Sequence, residues 1–171
     1  MKKIRQLFYL ASAWGAGSCL IAMTLLIVSQ IIARMIGVVI PSSEDFAGWL
    51  LSAIIFFGLA YTFNNGGHIR VTIALSRFST RYRHLAEYLN LSIGLLISGY
   101  LAYYTAFTVY ESFAYKEVTD TYLAVPIGLV QLPMAIGSIC LFLAMLDSLL
   151  IMISGRVPNY ITAEENIDVE G

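Results

Sequence analysis

Arg34, Glu44 and Asp45 form the first set of residues in this chain that could do chemistry, one guanidinium and two carboxylates joined through a short segment containing Pro41. If that segment folds back as a hairpin, the arginine can pair with the acids. The plain alternative is structural. Acidic side chains at a helix N-terminus are favoured by the macrodipole, Ser42 or Ser43 can cap the helix, and Trp49 follows on it. The second set is Gly66-Gly67-His68-Ile69-Arg70-Val71. Glycine permits left-handed backbone geometry where a helix stops, and His68 and Arg70 complement the negative end of its dipole. Leu123-Ala124-Val125-Pro126 followed by Leu132-Pro133 is the third, with Pro126 at a helix start and Pro133 set to kink its first turns.

Catalytic chemistry finds little support. The two cysteines, Cys19 and Cys140, stand alone without a Cys-x-x-Cys pair, and read as small apolar packing residues. Both histidines, His68 and His84, lie in a polar connection rather than where an intramembrane haem would need its ligands. No serine in an apolar stretch has a neighbouring base in sequence. Gln30 and Gln131 are the notable polar groups inside apolar stretches and are expected to hydrogen-bond between helices. Arg34, Glu111 and Asp147 are expected at helix ends. No catalytic residue, metal ligand or cofactor is therefore assigned, and a formal net charge of −1 gives no sign of nucleic acid binding.

The elements that must position these groups are membrane helices. Four stretches, Gln6 to Ala33, Phe46 to Gly67, Tyr88 to Tyr110 and Thr121 to Leu146, carry no Asp, Glu, Lys or Arg. A hydrocarbon core about 30 Å thick needs roughly 20 apolar residues at about 1.5 Å each, so each stretch is long enough to cross it. Continuous apolar runs without alternation select helices over a barrel. The expected fold is an all-α membrane protein of one domain, residues 1–171. Its tilted helices should occupy about 7–33, 46–66, 87–110 and 122–150. From Val71, apolar residues at helical spacing with Arg77 and Arg81 off the stripe predict an amphipathic interfacial helix over about 70–84, against membrane lipid. Residues 156–171 form an acidic tail. Lys2, Lys3 and Arg5 before an apolar run resemble a signal peptide, but the run is too long, and a retained helix is expected.

Basic residues cluster before the first helix and between the second and third, which places both termini in the cytoplasm. Tyr100, Tyr103, Tyr104 and Tyr110 then lie in the outer half of helix three, with Tyr115 and Tyr122 beyond it, suiting the membrane interface. Helices in lipid associate through small residues, and Gly94, Ser98, Ala102 and Ala106 recur every four residues in helix three. Such a stripe serves either the internal bundle or another subunit.

The acidic pair before Trp49, the glycine-rich end of helix two running into Gly67-His68-Ile69-Arg70-Val71, and the Pro126 and Pro133 pair occur together and in order. The set, spanning Arg34 to about Asp147, resembles the small membrane subunit of tripartite ATP-independent periplasmic (TRAP) transporters, although Thr72 stands where that family often carries an acid. The resemblance implies a bacterial inner-membrane system that imports a small organic acid, such as sialic acid, a C4-dicarboxylate or a keto acid, on a sodium gradient. It implies two partners, a periplasmic substrate-binding protein and a large elevator-type membrane subunit holding the substrate and sodium sites. This chain would be the non-catalytic brace. Arg34, Glu44, Asp45, Trp49, Pro126, Gly67, His68, Arg70 and the small-residue stripe are its expected structural or interface residues. Two other readings are a self-contained four-helix homodimeric carrier and a membrane anchor for an electron-transfer enzyme.

Overall fold

The computed structural model describes residues 2–65 and 80–155. Among them are four helices, α1 (Lys2–Met35), α2 (Ser43–Asn64), α3 (Thr80–Ala114) and α4 (Ile127–Ile153). Each contains a stretch long and apolar enough to cross a bilayer, and the fold is that of an all-α membrane protein. The 22 residues of α2 span about 33 Å, close to the hydrocarbon thickness, whereas the 34 of α1 and 35 of α3 exceed 50 Å and must tilt or protrude. Gly67, His68, Arg70, most of the expected interfacial helix and the acidic tail lie outside the described residues. Thr80 to His84, assigned from sequence to that interfacial helix, are instead the first residues of α3.

Local chemistry ends the helices where the apolar runs end. At the close of α1 the Gly37 N–H donates to Arg34 O at 3.1 Å and the Val38 N–H to Ala33 O at 2.9 Å, with Gly37 at φ +77°. This is a Schellman closure, and glycine takes the left-handed position without steric cost. The same pattern closes α3, from Lys116 to Phe113 O and from Glu117 to Ser112 O, but the left-handed residue there is Lys116. The chain then doubles back through an isolated antiparallel bridge between Val118 and Pro126, and the Ile127 N–H donates to Glu117 O at 3.0 Å to start α4.

The packing order is α1 on α2, α2 on α4, and α4 on α3. Buried apolar residues from all four helices meet toward the end that carries the chain's N-terminus, where Tyr9, Phe63, Leu91, Leu141 and Met152 surround Ala60 and Ala144. Beyond that core α1 runs along α2 alone, exposing Leu20, Ile21, Leu25, Val28 and Ile32.

Small residues decide how close the helices come. A Cβ on Gly137 of α4 would lie 2.3 Å from Phe56 O in α2, so the two backbones touch there. On another face of α2 the next carbonyl, Phe57 O, accepts the hydroxyl of Ser12 from α1, and Gly15 faces the Phe57 ring. Between α3 and α4 the contacts pair Gly94 with Met145, Gly99 with Phe142 and Phe113 with Gly128. The buried positions of α3 are Glu87, Leu91, Ser98, Ala102, Thr105, Val109 and Ser112. From Ser98 onward steps of four and three alternate, the seam of two helices crossing at a shallow angle. Of the four-residue stripe read from the sequence, Gly94, Ser98 and Ala102 face the bundle, while Ala106 is exposed. Successive four-residue steps drift around a 3.6-residue helix, and the three-residue step to Thr105 restores the seam.

Gly137→Ala is expected to force α2 and α4 apart and destabilise the protein by about 1–3 kcal/mol, the usual cost of overpacking. Gly17→Ala, where a Cβ meets nothing within 4 Å, should be neutral or slightly stabilising. Thermal unfolding of both variants in detergent, followed by circular dichroism, checks the pair.

Candidate functional site

The hairpin joining α1 to α2 gathers Arg34, Glu44 and Asp45. Arg34 occupies the last turn of α1, while Glu44 and Asp45 lie in the first turn of α2. The Schellman closure at Gly37 turns the chain back, and Arg34 Nη2 donates to Glu44 Oε1 at 3.2 Å. Both side chains are largely exposed, at 65% and 83%, so water screens the pair. Beneath it the Gln30 amide of α1 donates to Ser43 Oγ, which in turn donates to Ile40 O at 2.8 Å. A cleft of about 230 Å³ is lined by Gln30, Arg34 and residues 39–45. Trp49 lies one turn further along α2 and packs edge-on against Phe46, with ring centroids 4.7 Å apart.

The capping expected of Ser42 or Ser43 is not what holds this turn. Ser42 is the N-cap residue, but it sits at φ +57°, makes no side-chain cap bond, and its buried Oγ has no partner among the described residues. Ser43 is drawn away by Gln30 and Ile40 O. With neither serine capping, the macrodipole at the start of α2 is met by the charges of Glu44 and Asp45 instead.

A second polar cluster closes the α3–α4 hairpin at the same end of the molecule. Ser112 Oγ lies 2.9 Å from Glu117 Oε2 and 3.1 Å from Gln131 Oε1. One hydroxyl proton cannot serve two acceptors. The Gln131 amide in its flipped orientation gives Ser112 Oγ a donor while Ser112 donates to the carboxylate. Both membrane glutamines thus pair between helices, Gln30 across α1 and α2 and Gln131 across α4 and α3. Thr119 Oγ1 accepts the Val125 N–H at 3.1 Å, holding the loop before Pro126, which is the N-cap residue of α4.

Two acidic residues stand elsewhere than expected. Glu87, expected as the first residue of helix three, lies about two turns inside α3 and is only 4% exposed. It occupies the same seam as Leu91, one helical turn away, and that periodicity was the available signal. Asp147, expected at a helix end, lies well inside α4, because the helix continues to Ile153. Tyr88 OH donates to Met152 O at 2.9 Å and ties the start of α3 to the end of α4.

Residues 23–154 match the family model of the DctQ component of tripartite ATP-independent periplasmic transporters. The chain belongs to the DctQ family. The matched segment runs from the middle of α1 to the end of α4 and includes both hairpin clusters. No curated protein sequence matches the chain significantly. Together with the four spans, membership makes this a multi-pass inner-membrane protein and a component of a transporter. In a DctQ protein the hairpin clusters read as clasps. Each fixes the register of two helices through one amide and one hydroxyl, with charge at the rim.

Ser43→Ala removes the partner of the Gln30 amide and is expected to cost about 1–3 kcal/mol. Arg34→Ala removes a screened surface pair and should cost no more than about 1 kcal/mol, less in high salt. Comparing the two by unfolding in detergent at low and high salt tests which interaction carries the hairpin.

Proposed function

We propose that this DctQ-family chain is the small, non-catalytic subunit that braces the large membrane subunit of a TRAP transporter. The observation that carries this reading is the distribution of charge. The middle third of every span holds no Asp, Glu, Lys, Arg or His, so the chain offers no ionised group at the depth where carboxylate or ion binding would be coupled to transport. The middle of α2 is instead given over to close packing, through Gly137 on Phe56 and Ser12 on Phe57. The substrate, a small organic acid such as sialic acid or a dicarboxylate, and the sodium ions that drive its symport belong in this reading to the large subunit. A periplasmic binding protein delivers the substrate. The basic residues Lys2, Lys3 and Arg5, and Arg70, Arg77, Arg81 and Arg83, support cytoplasmic termini, with the Arg34–Glu44 hairpin and the loop before Pro126 in the periplasm.

Co-expression with a tagged large subunit tests the assignment. The two chains are expected to co-purify in equal amounts, and deletion of this chain should abolish or strongly reduce uptake by cells that retain the other components. A large subunit that purifies alone and transports at the full rate without this chain would overturn it.

A further inference from the structure

The two long helices at the ends of the packing order present different surfaces. The exposed face of α1 beyond the core is aliphatic, formed by Leu20, Ile21, Leu25, Val28 and Ile32. Lipid chains satisfy such a face completely. On α3 the side away from α4 carries Tyr100, Tyr103 and Tyr104, which are 66%, 65% and 48% exposed, followed by Phe107. Their rings are already arranged as a plate. Tyr100 and Tyr104 have centroids 4.3 Å apart, Tyr103 meets Tyr104 edge-on at 5.3 Å, and Tyr103 stacks with Phe107 at 6.3 Å.

Tyrosine suits the head-group level, which Tyr110, Tyr115 and Tyr122 can reach, but these three lie deeper. Tyr100 stands midway along the span Leu85–Ala114, and Tyr103 and Tyr104 follow within about one turn. The short helix α2 gives an independent ruler. Its middle is fixed against α4 at Phe56 and Gly137, and α4 meets α3 just below that level, at Phe142 and Gly99. Either ruler keeps all three tyrosines inside a hydrocarbon core about 30 Å thick. The interfacial role expected from sequence therefore does not hold for them. Tyr100 and Tyr104 lie within hydrogen-bonding reach of each other, but a Tyr103 hydroxyl facing acyl chains finds no acceptor there, whereas a protein neighbour supplies carbonyls, amides or hydroxyls.

We infer that the Tyr100–Tyr103–Tyr104 face of α3 is the surface that docks the large membrane subunit, through partner helices that accept hydrogen bonds from the tyrosine hydroxyls, while the outer length of α1 faces lipid. The inference rests on the bracing role proposed above and adds the face that performs it. Aromatic side chains fit such a surface because they bury much area for few rotatable bonds and keep a polar tip.

The test uses the complete transporter in native membranes, with p-benzoylphenylalanine replacing Tyr103 in one sample and Ile21 in another. Irradiation is expected to join the large subunit to this chain from position 103 and not from position 21. A cross-link from Ile21 only, a cross-linked dimer of this chain from position 103, or no adduct from position 103 in a complex that still co-purifies would each overturn the docking face. Failure of the two chains to co-purify at all would instead overturn the bracing role, and the face with it. Tyr100→Phe, Tyr103→Phe and Tyr104→Phe keep the rings and remove the hydroxyls. Each is expected to weaken retention of the large subunit by about threefold, the usual worth of an interhelical hydrogen bond in a membrane. Unchanged retention in the triple variant would contradict the hydrogen-bonding role.

Discussion

The close approach of α2 and α4 at Phe56 and Gly137 is the constraint on which the rest of the fold depends. Helices in lipid gain little from hydrophobicity when they meet, so the gain must come from backbone-level contact and from hydrogen bonds. Gly137 permits the contact because any side chain there would collide with a carbonyl. Ser12 holds another face of the same turn through Phe57 O, so α2 is gripped between α1 and α4 near its middle. As the shortest span, α2 then sets the level for its neighbours, and the excess length of α1 and α3 appears beyond its ends.

Buried hydroxyls find acceptors either on the next helix, as Ser12 does at Phe57 O, or within their own, as Thr105 does at Leu101 O (2.8 Å) and Ser138 at Met134 O (2.7 Å), which removes the cost of burial without needing a neighbour. The glutamines instead reach across to a serine on the adjacent helix, Gln30 to Ser43 and Gln131 to Ser112, both at the hairpin end. The apolar core gathers toward the opposite end, around Tyr9, Leu91 and Met152. Polar clasps at one end and an apolar core at the other, with close contact between them, give each helix pair its register without an ionised group in mid-membrane.

The spans and the all-α fold were legible in the sequence because a continuous apolar run of about twenty residues, without inside-outside alternation, crosses lipid as a helix and not as a barrel strand. The likeness to the TRAP small subunit was legible from ordered loop residues, and the DctQ match agrees with it. What escaped depends on partners that sequence spacing does not name. Ser42 and Ser43 look like caps, yet Gln30, thirteen residues before Ser43, draws Ser43 away. Ala106 continues a regular four-residue stripe, but the seam follows the axis of α4 and turns to Thr105. Glu87 and Asp147 looked like end charges because the helices were expected to be shorter than the structure makes them.

In the proposed role this chain holds a transporter together and moves nothing itself. The most direct measurement is sodium-driven uptake of the organic acid into liposomes, with binding protein supplied outside, for this chain alone and for its complex with the large subunit. Uptake by the complex and none by the chain alone is the predicted result. Gradient-driven accumulation in liposomes that contain only this chain would contradict it.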